Sequence, residues 1–215
     1  MSLSEALAAQ RAKSTSQPSP MLTAVESMLA DLRARQVGER APRPGDRAPE
    51  FVLPEARGGT VDLAARLAAG PVVLVFYRGG WCPYCNLELR AWQAVLPRLQ
   101  ALGGSLVAIS PQSPDGSLST AEKNALGFDV VSDLGSRVGD AYGLTFRMPA
   151  DLQALYRERG IVLPDVNGDD DWRLPLPATF VIARDGRVAL AHVDVDYRVR
   201  LEPEDALACV AALPG

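Results

Sequence analysis

Residues 72–85 read VVLVFYRGGWCPYC, and no other segment constrains the chain as tightly. The apolar run from Val72 to Tyr77 has the composition of a buried strand. Gly79-Gly80 interrupts it, and NLELRAWQAVLPRLQ follows with the spacing of a helix. Pro83 suits the first helical position, where its missing N–H costs nothing. Cys82 is then the N-cap, and Cys85 falls in the first turn. Unpaired backbone N–H groups and the positive end of the helix dipole favour an anion at that place. A thiolate is such an anion, and a helix N-terminus lowers a thiol pKa from its free value of roughly 8.5. The i, i+3 spacing puts both sulfurs on one face, within reach of a reversible disulfide.

Other readings of this Cys-x-x-Cys fit less well. A structural zinc site needs a second ligand pair. Only Cys209 and His192 remain, at a spacing that matches no common zinc pattern. An inert core pair sits poorly beside Pro and Trp at a helix start. A redox pair at a βα turn accounts for the spacing.

The 215 residues are 47% hydrophobic and 22% charged, with a net charge of −4, which fits an ordinary globular protein rather than a nucleic-acid or anionic-membrane binder. No apolar run approaches the roughly 18 residues that span a bilayer. MSLSEALAAQRAKSTSQ lacks a basic-then-apolar export signal, so a cytoplasmic location is expected. In a reducing compartment a cysteine pair is catalytic sooner than a structural staple.

Residues 1–42 read as an N-terminal arm and helix, and 43–215 as the main domain. The first 20 residues are rich in Ala, Ser and Gln and end in STSQPSP, the composition of a mobile arm. Thr23 to Glu26 matches a capping box, after which Val25, Met28, Leu29 and Leu32 share one helical face. That face could pack on the domain or on a second subunit of a homodimer. PRPGDRAP marks a boundary. Phe51–Leu53 and Thr60–Leu63 read as a hairpin, Ser105–Ser110 as a second buried strand and Asp129–Val131 as a short one. A helix is expected near Ser119–Leu126, and Pro97 should kink or shorten the helix after the cysteines. Ala178–Ala183 and Val188–Val193 form a hairpin around Arg184-Asp185-Gly186, before a closing helix at Glu204–Leu213. This alternation predicts an α/β fold. Residues 145–176 look like an insertion, with a helix at Pro149–Glu158 and an acidic loop, DVNGDDDW. That loop is no EF-hand: its sixth position is Asp170 rather than Gly, and its twelfth is Leu176 rather than Glu.

Taken together, these segments resemble the thioredoxin-fold superfamily, and within it the peroxiredoxins. GDRAPEFVLPEARGGTVDL, PVVLVFYRGGWCPYC, VVSDLGSRVGDAYGL and PATFVIARDGRV fall in peroxiredoxin order. The chain is most similar to peroxiredoxin-like proteins of the alkyl hydroperoxide reductase/thiol-specific antioxidant group that carry a Cys-x-x-Cys. The resemblance implies a thioredoxin-like fold: a central mixed sheet flanked by helices, with an N-terminal hairpin and, here, a helical extension before it. It also implies a thiol peroxidase that acts on hydrogen peroxide or organic hydroperoxides. Thioredoxin or a similar dithiol would recycle it, without a metal or organic cofactor.

The resemblance pulls the two cysteines in different directions. Peroxiredoxins look like F-[FY]-P-x-x-x-[TS]-x-x-C, which makes Cys85 the attacking residue and lays the family's Thr on Cys82 and its Pro on Arg78. Thioredoxin-type oxidoreductases look like W-C-x-x-C, which makes Cys82 the nucleophile toward protein disulfides. Pro177 matches the cis-proline of that second group, and Thr179 begins the Thr-Phe strand of the first. The Arg that peroxiredoxins carry shortly before this strand is absent, leaving Arg78 or Arg173 to supply a cation. Trp81 is expected to pack over the motif. A non-enzymatic redox sensor is a third reading. A peroxidase needs a cation near Cys85 and a small pocket, whereas an oxidoreductase needs Cys82 exposed beside a flat apolar groove. Cys209 reads as a core residue of the last helix, and His192 as structural.

Overall fold

A computed structural model describes residues 1–214. Its centre is a five-stranded mixed sheet. β3 (Val72–Phe76), β4 (Ser105–Ser110) and β5 (Asp129–Ser132) run parallel, β8 (Ala178–Ile182) pairs antiparallel with β3, and β9 (Val188–Val193) pairs antiparallel with β8, giving the order β5-β4-β3-β8-β9. Successive side chains of a strand point to opposite faces. Val72, Leu74 and Phe76 accordingly enter one core, and Val73, Val75 and Tyr77 enter another. Both faces of the sheet are covered, which is why β3 has no polar residue. Each fully buried aliphatic or aromatic side chain contributes about 1.5–3 kcal/mol.

Outside this sheet, β1 (Val52–Pro54) and β2 (Thr60–Asp62) form the expected hairpin, followed by α3 (Leu63–Ala69). α4 (Pro83–Ala101) leaves the end of β3 through the cysteine motif. Its expected kink at Pro97 does not shorten it. Pro97 lies on the exposed side, where the carbonyl that loses its helical donor can turn to water. α5 is Pro114–Lys123, earlier than expected, because Ser113 caps it and Pro114 takes the first position. After α6 (Arg137–Ala141), residues 145–176 add β6 (Thr145–Arg147), α7 (Ala150–Glu158), α8 (Leu163–Asn167) and β7 (Arg173–Pro175). β6 and β7 pair as a separate two-stranded ribbon. The acidic loop before β7 is tied down by arginine: Asp171 meets Arg147 at 2.6 Å and Arg173 at 2.9 Å. α9 (Pro203–Ala211) closes the chain.

The N-terminal segment differs most from expectation. Where a mobile arm was predicted, α1 runs from Leu3 to Ser14. Ser2 and Glu5 form its capping box, with the Glu5 N–H donating to Ser2 Oγ at 3.2 Å and the Ser2 N–H to Glu5 Oε2 at 2.7 Å. The Glu202 carboxylate accepts from the N–H groups of Leu3 and Ser4, at 3.2 and 2.6 Å, and so occupies the positive end of α1. Leu3 and Leu7 are buried with Leu89, Trp92 and Leu207. α2 spans Pro20–Ala34 and is capped by Ser19 rather than Thr23. Its apolar face (Val25, Met28, Leu29, Leu32) packs into this chain's own core, so that face is not left free for a second subunit.

Candidate active site

The cysteine motif lies where the two cores meet, and Trp81 and Tyr197 pack against both. Cys82 is the N-cap of α4 and Pro83 its first residue, as the sequence predicts. The preceding turn leaves no room for side chains. A Cβ on Gly80 would sit 2.3 Å from Thr120 Oγ1, and Gly79 has φ +140. Gln112 Oε1 accepts from the Gly80 N–H at 2.8 Å, and Asn86 Nδ2 donates to the carbonyls of Gly80 (2.8 Å) and Cys82 (3.0 Å). These bonds fix the approach to the helix.

Both cysteines are reduced and buried, at 1% and 0% exposure for Cys82 and Cys85. Their surroundings differ. Cys82 lines a cavity of about 410 Å³ together with Arg78, Trp81, Tyr84, Tyr156 and Tyr197; Cys85 does not reach it. A more open hollow of about 600 Å³, between residues 33–44 and β9, holds neither cysteine.

Two buried arginines flank the pair. Arg78 lies between rings, its guanidinium carbon 4.2 Å from the Tyr197 centroid and 5.0 Å from that of Trp81. Its Nη2 donates to Tyr156 Oη at 3.0 Å, and no carboxylate pairs with it among the described residues. Arg200 comes from the segment between β9 and α9. Its Nε donates to Glu88 Oε2 at 2.7 Å, and its Nη2 approaches Cys85 Sγ at 3.7 Å. Burial alone would raise the Cys82 thiol, but a hydrogen bond from Cys85 and the charges of Arg78 and Arg200 bring it down to about 6. Burial pushes Cys85 the other way, well above the ordinary thiol, and the neighbouring Cys82 adds to the rise. Burial also lifts the Glu88 carboxyl to about 7 against the pull of Arg200. The two shifts run in opposite directions, and the lowered thiol is the one that lines the cavity.

Of the expected cations, Arg78 is at the site and Arg173 is not. The Arg173 guanidinium meets Asp140 at 2.8 Å, donates to the Gly135 carbonyl at 2.7 Å and anchors β7. Pro177 and Thr179 do not line the cavity. The peptide bond before Pro177 is trans, the default for such a bond, rather than the cis form that the resemblance implies. Thr179 is buried on β8 opposite Val75 and His192. His192 is half-buried, and burial lowers its pKa. Cys209 packs half-buried on α9, where burial raises its thiol.

The sequence reading missed Arg200, Glu88, Tyr156 and Tyr197. Glu88 left a signal: it is three residues after Cys85, on the buried face of a helix beside Leu89 and Trp92. Tyr156 and Tyr197 left none, since tertiary packing alone brings them to the cysteines.

Residues 44–191 match the AhpC/TSA family. A Mycobacterium tuberculosis protein provisionally named a peroxiredoxin is 28% identical over 152 residues, which cover 71% of this chain and 85% of that one. Chloroplastic peroxiredoxin Q of Sedum lineare is 28% identical over 143 residues, 66% of this chain and 74% of that one. The crystal structure of peroxidoxin BcpB from Mycobacterium tuberculosis aligns with a TM-score of 0.63 at 23% identity, covering 81% of this chain and 99% of that one. The five-stranded mixed sheet and the helices on both its faces are thus a thioredoxin-like fold, and the chain belongs to the AhpC/TSA family as a peroxiredoxin-like protein.

Proposed function

We propose that the protein is a thiol-dependent peroxidase in which Cys82 attacks and Cys85 resolves. One observation carries this assignment: of the two cysteines only Cys82 lines the cavity, together with a buried arginine that no carboxylate neutralises, and the lowering of its thiol agrees with that placement. The Cys82 thiolate attacks the terminal oxygen of a hydroperoxide. An S–O bond forms, the O–O bond breaks, and the leaving alkoxide takes a proton to become the alcohol. Cys82 is left as an uncharged sulfenic acid.

That loss of charge prepares the second step. The negative neighbour that helped to raise the Cys85 pKa is gone, while the Arg200 cation stays within 3.7 Å. Cys85 then gives up its proton and attacks the Cys82 sulfur. An S–S bond forms, the S–O bond breaks, and the departing hydroxide takes up the proton as water. A thioredoxin-type dithiol restores both thiols by exchange and leaves as a disulfide. A reducing compartment such as the cytoplasm would keep the pair ready.

The thiol–disulfide oxidoreductase reading needs Cys82 open beside a flat groove, and at 1% exposure under α1 and α2 it is not open. The test is stopped-flow tryptophan fluorescence of the reduced protein mixed with hydroperoxide, followed by intact mass. Oxidation far faster than that of a free thiol, ending in a Cys82–Cys85 disulfide, is expected. A rate no better than a free thiol would move the assignment to disulfide exchange.

A further inference from the structure

The cavity over Cys82 has walls from outside the family-matched region. Ser14 ends α1, and Met21, Leu22 and Val25 lie on α2; all four line it, opposite Arg78, Trp81 and Tyr156. These helices are held in place. Ser14 Oγ and Tyr84 Oη lie 2.8 Å apart, and Glu26 meets Arg198 at 2.8 Å. Arg198 in turn grips Asp196 through Nε and Nη2, at 2.7 and 2.8 Å.

Size and charge indicate what this space takes. A water occupies about 30 Å³, so hydrogen peroxide, with two oxygens, needs roughly twice that. A cavity of about 410 Å³ lies within the range of small-molecule sites and far exceeds that need. Three arginines line it (Arg78, Arg159 and Arg198), and no Asp or Glu does, in a chain whose net charge is −4. Arg198 is already paired. Arg159, the residue that caps the C-terminal end of α7, makes no ion pair among the described residues and stands exposed on the cavity lining. The lining thus brings together Cys82 and Arg78, aromatic and aliphatic side chains, and an exposed cation without an ion-pair partner, Arg159.

We propose that α1 and α2 complete a substrate subsite, and that it takes an organic hydroperoxide carrying an anionic group such as a carboxylate. The hydroperoxide end meets Cys82, the apolar body lies against Leu22 and Trp81, and the anion meets Arg159. This inference rests on the peroxidase reading for its chemistry, though not for its binding.

The full-length reduced protein is mixed with hydrogen peroxide, cumene hydroperoxide and the para-carboxylate of cumene hydroperoxide. Separately, the corresponding carboxylated alcohol, which cannot oxidise a thiol, is titrated against tryptophan fluorescence. The carboxylated hydroperoxide is expected to react about tenfold or more faster than the neutral one at low salt, an advantage that salt and Arg159→Gln both remove. Leu22→Trp should lower the ratio of organic to hydrogen peroxide rates by about tenfold. The alcohol should bind the unmodified protein and bind Arg159→Gln more weakly. Equal rates for the two cumene hydroperoxides, or rate ratios unchanged in both variants, would overturn the inference even if hydrogen peroxide reacts fast. Arg159-dependent binding of the alcohol without fast oxidation by any peroxide would uphold the subsite and remove the peroxidase reading.

Discussion

Arg78 and Arg200 are both buried cations beside a cysteine, yet they are neutralised in different ways. Arg200 has a carboxylate partner in Glu88, and the pair is closed to solvent at 1% and 0% side-chain exposure. Arg78 has aromatic faces and one phenol, with no carboxylate. Above about pH 7, where Glu88 is ionised, a cation whose charge is already matched attracts a thiolate less than one whose charge is not. In the proposed mechanism the negative charge of the reduced site settles on Cys82, favoured by the Cys85 hydrogen bond and by Arg78, and Cys85 keeps its proton until Cys82 is oxidised. On this proposal two similar residues, differing in one counter-ion, help to give the two sulfurs different tasks.

Substitutions can break or sharpen this contrast. The largest effect is expected at the sulfurs. Cys82→Ser should slow peroxide oxidation on the order of a thousandfold or more, since the nucleophile itself is gone. Cys85→Ser should still oxidise once and stop at a one-oxygen mass gain in intact mass spectra. The reverse pattern would return the attack to Cys85, where the peroxiredoxin register puts it.

Next in size is the stability of the Arg200 side. Glu88→Gln leaves a buried cation unpaired and should lower unfolding free energy in denaturant by about 3–5 kcal/mol. Arg78→Met should cost less, because it removes the Tyr156 hydrogen bond and the ring contacts but no carboxylate partner. It should instead raise the Cys82 thiol by roughly one to three pH units, read as a shift in the pH dependence of oxidation. In the unmodified protein that dependence should rise through about pH 6 and then level off, because only the thiolate reacts. The same shift has a stability sign. A folded pKa below that of the unfolded thiol stabilises the fold fully above the unfolded value and loses its contribution as pH falls toward 6. The smallest effect belongs to Tyr156→Phe, which removes one hydrogen bond to Arg78 and should cost about 1 kcal/mol.

The sequence carried the strand, the turn and the helix cap at Cys82 plainly, because each is a local matter of apolar run, glycine and Pro83. It carried the hairpins for the same reason. It also held the capping box of α1, Ser2 to Glu5, but the Ala/Ser/Gln composition around it pointed to an arm. Burial of Leu3 and Leu7 against α4 decides otherwise. Arg200 lies 115 residues from Cys85, and Tyr156 lies 78 from Arg78. No periodicity or motif joins residues so far apart. Arg173 looked as available as Arg78 until its partners Asp140 and Asp171 came into view.

The central claim is that the resting thiolate sits on Cys82. Its most direct test is a pH titration of ultraviolet thiolate absorbance in the reduced protein, repeated in Cys82→Ser and Cys85→Ser. The account predicts one ionisation near pH 6 that disappears in Cys82→Ser and moves upward, as the Cys85 hydrogen bond is lost, in Cys85→Ser. An ionisation that survives in Cys82→Ser and vanishes in Cys85→Ser would contradict it.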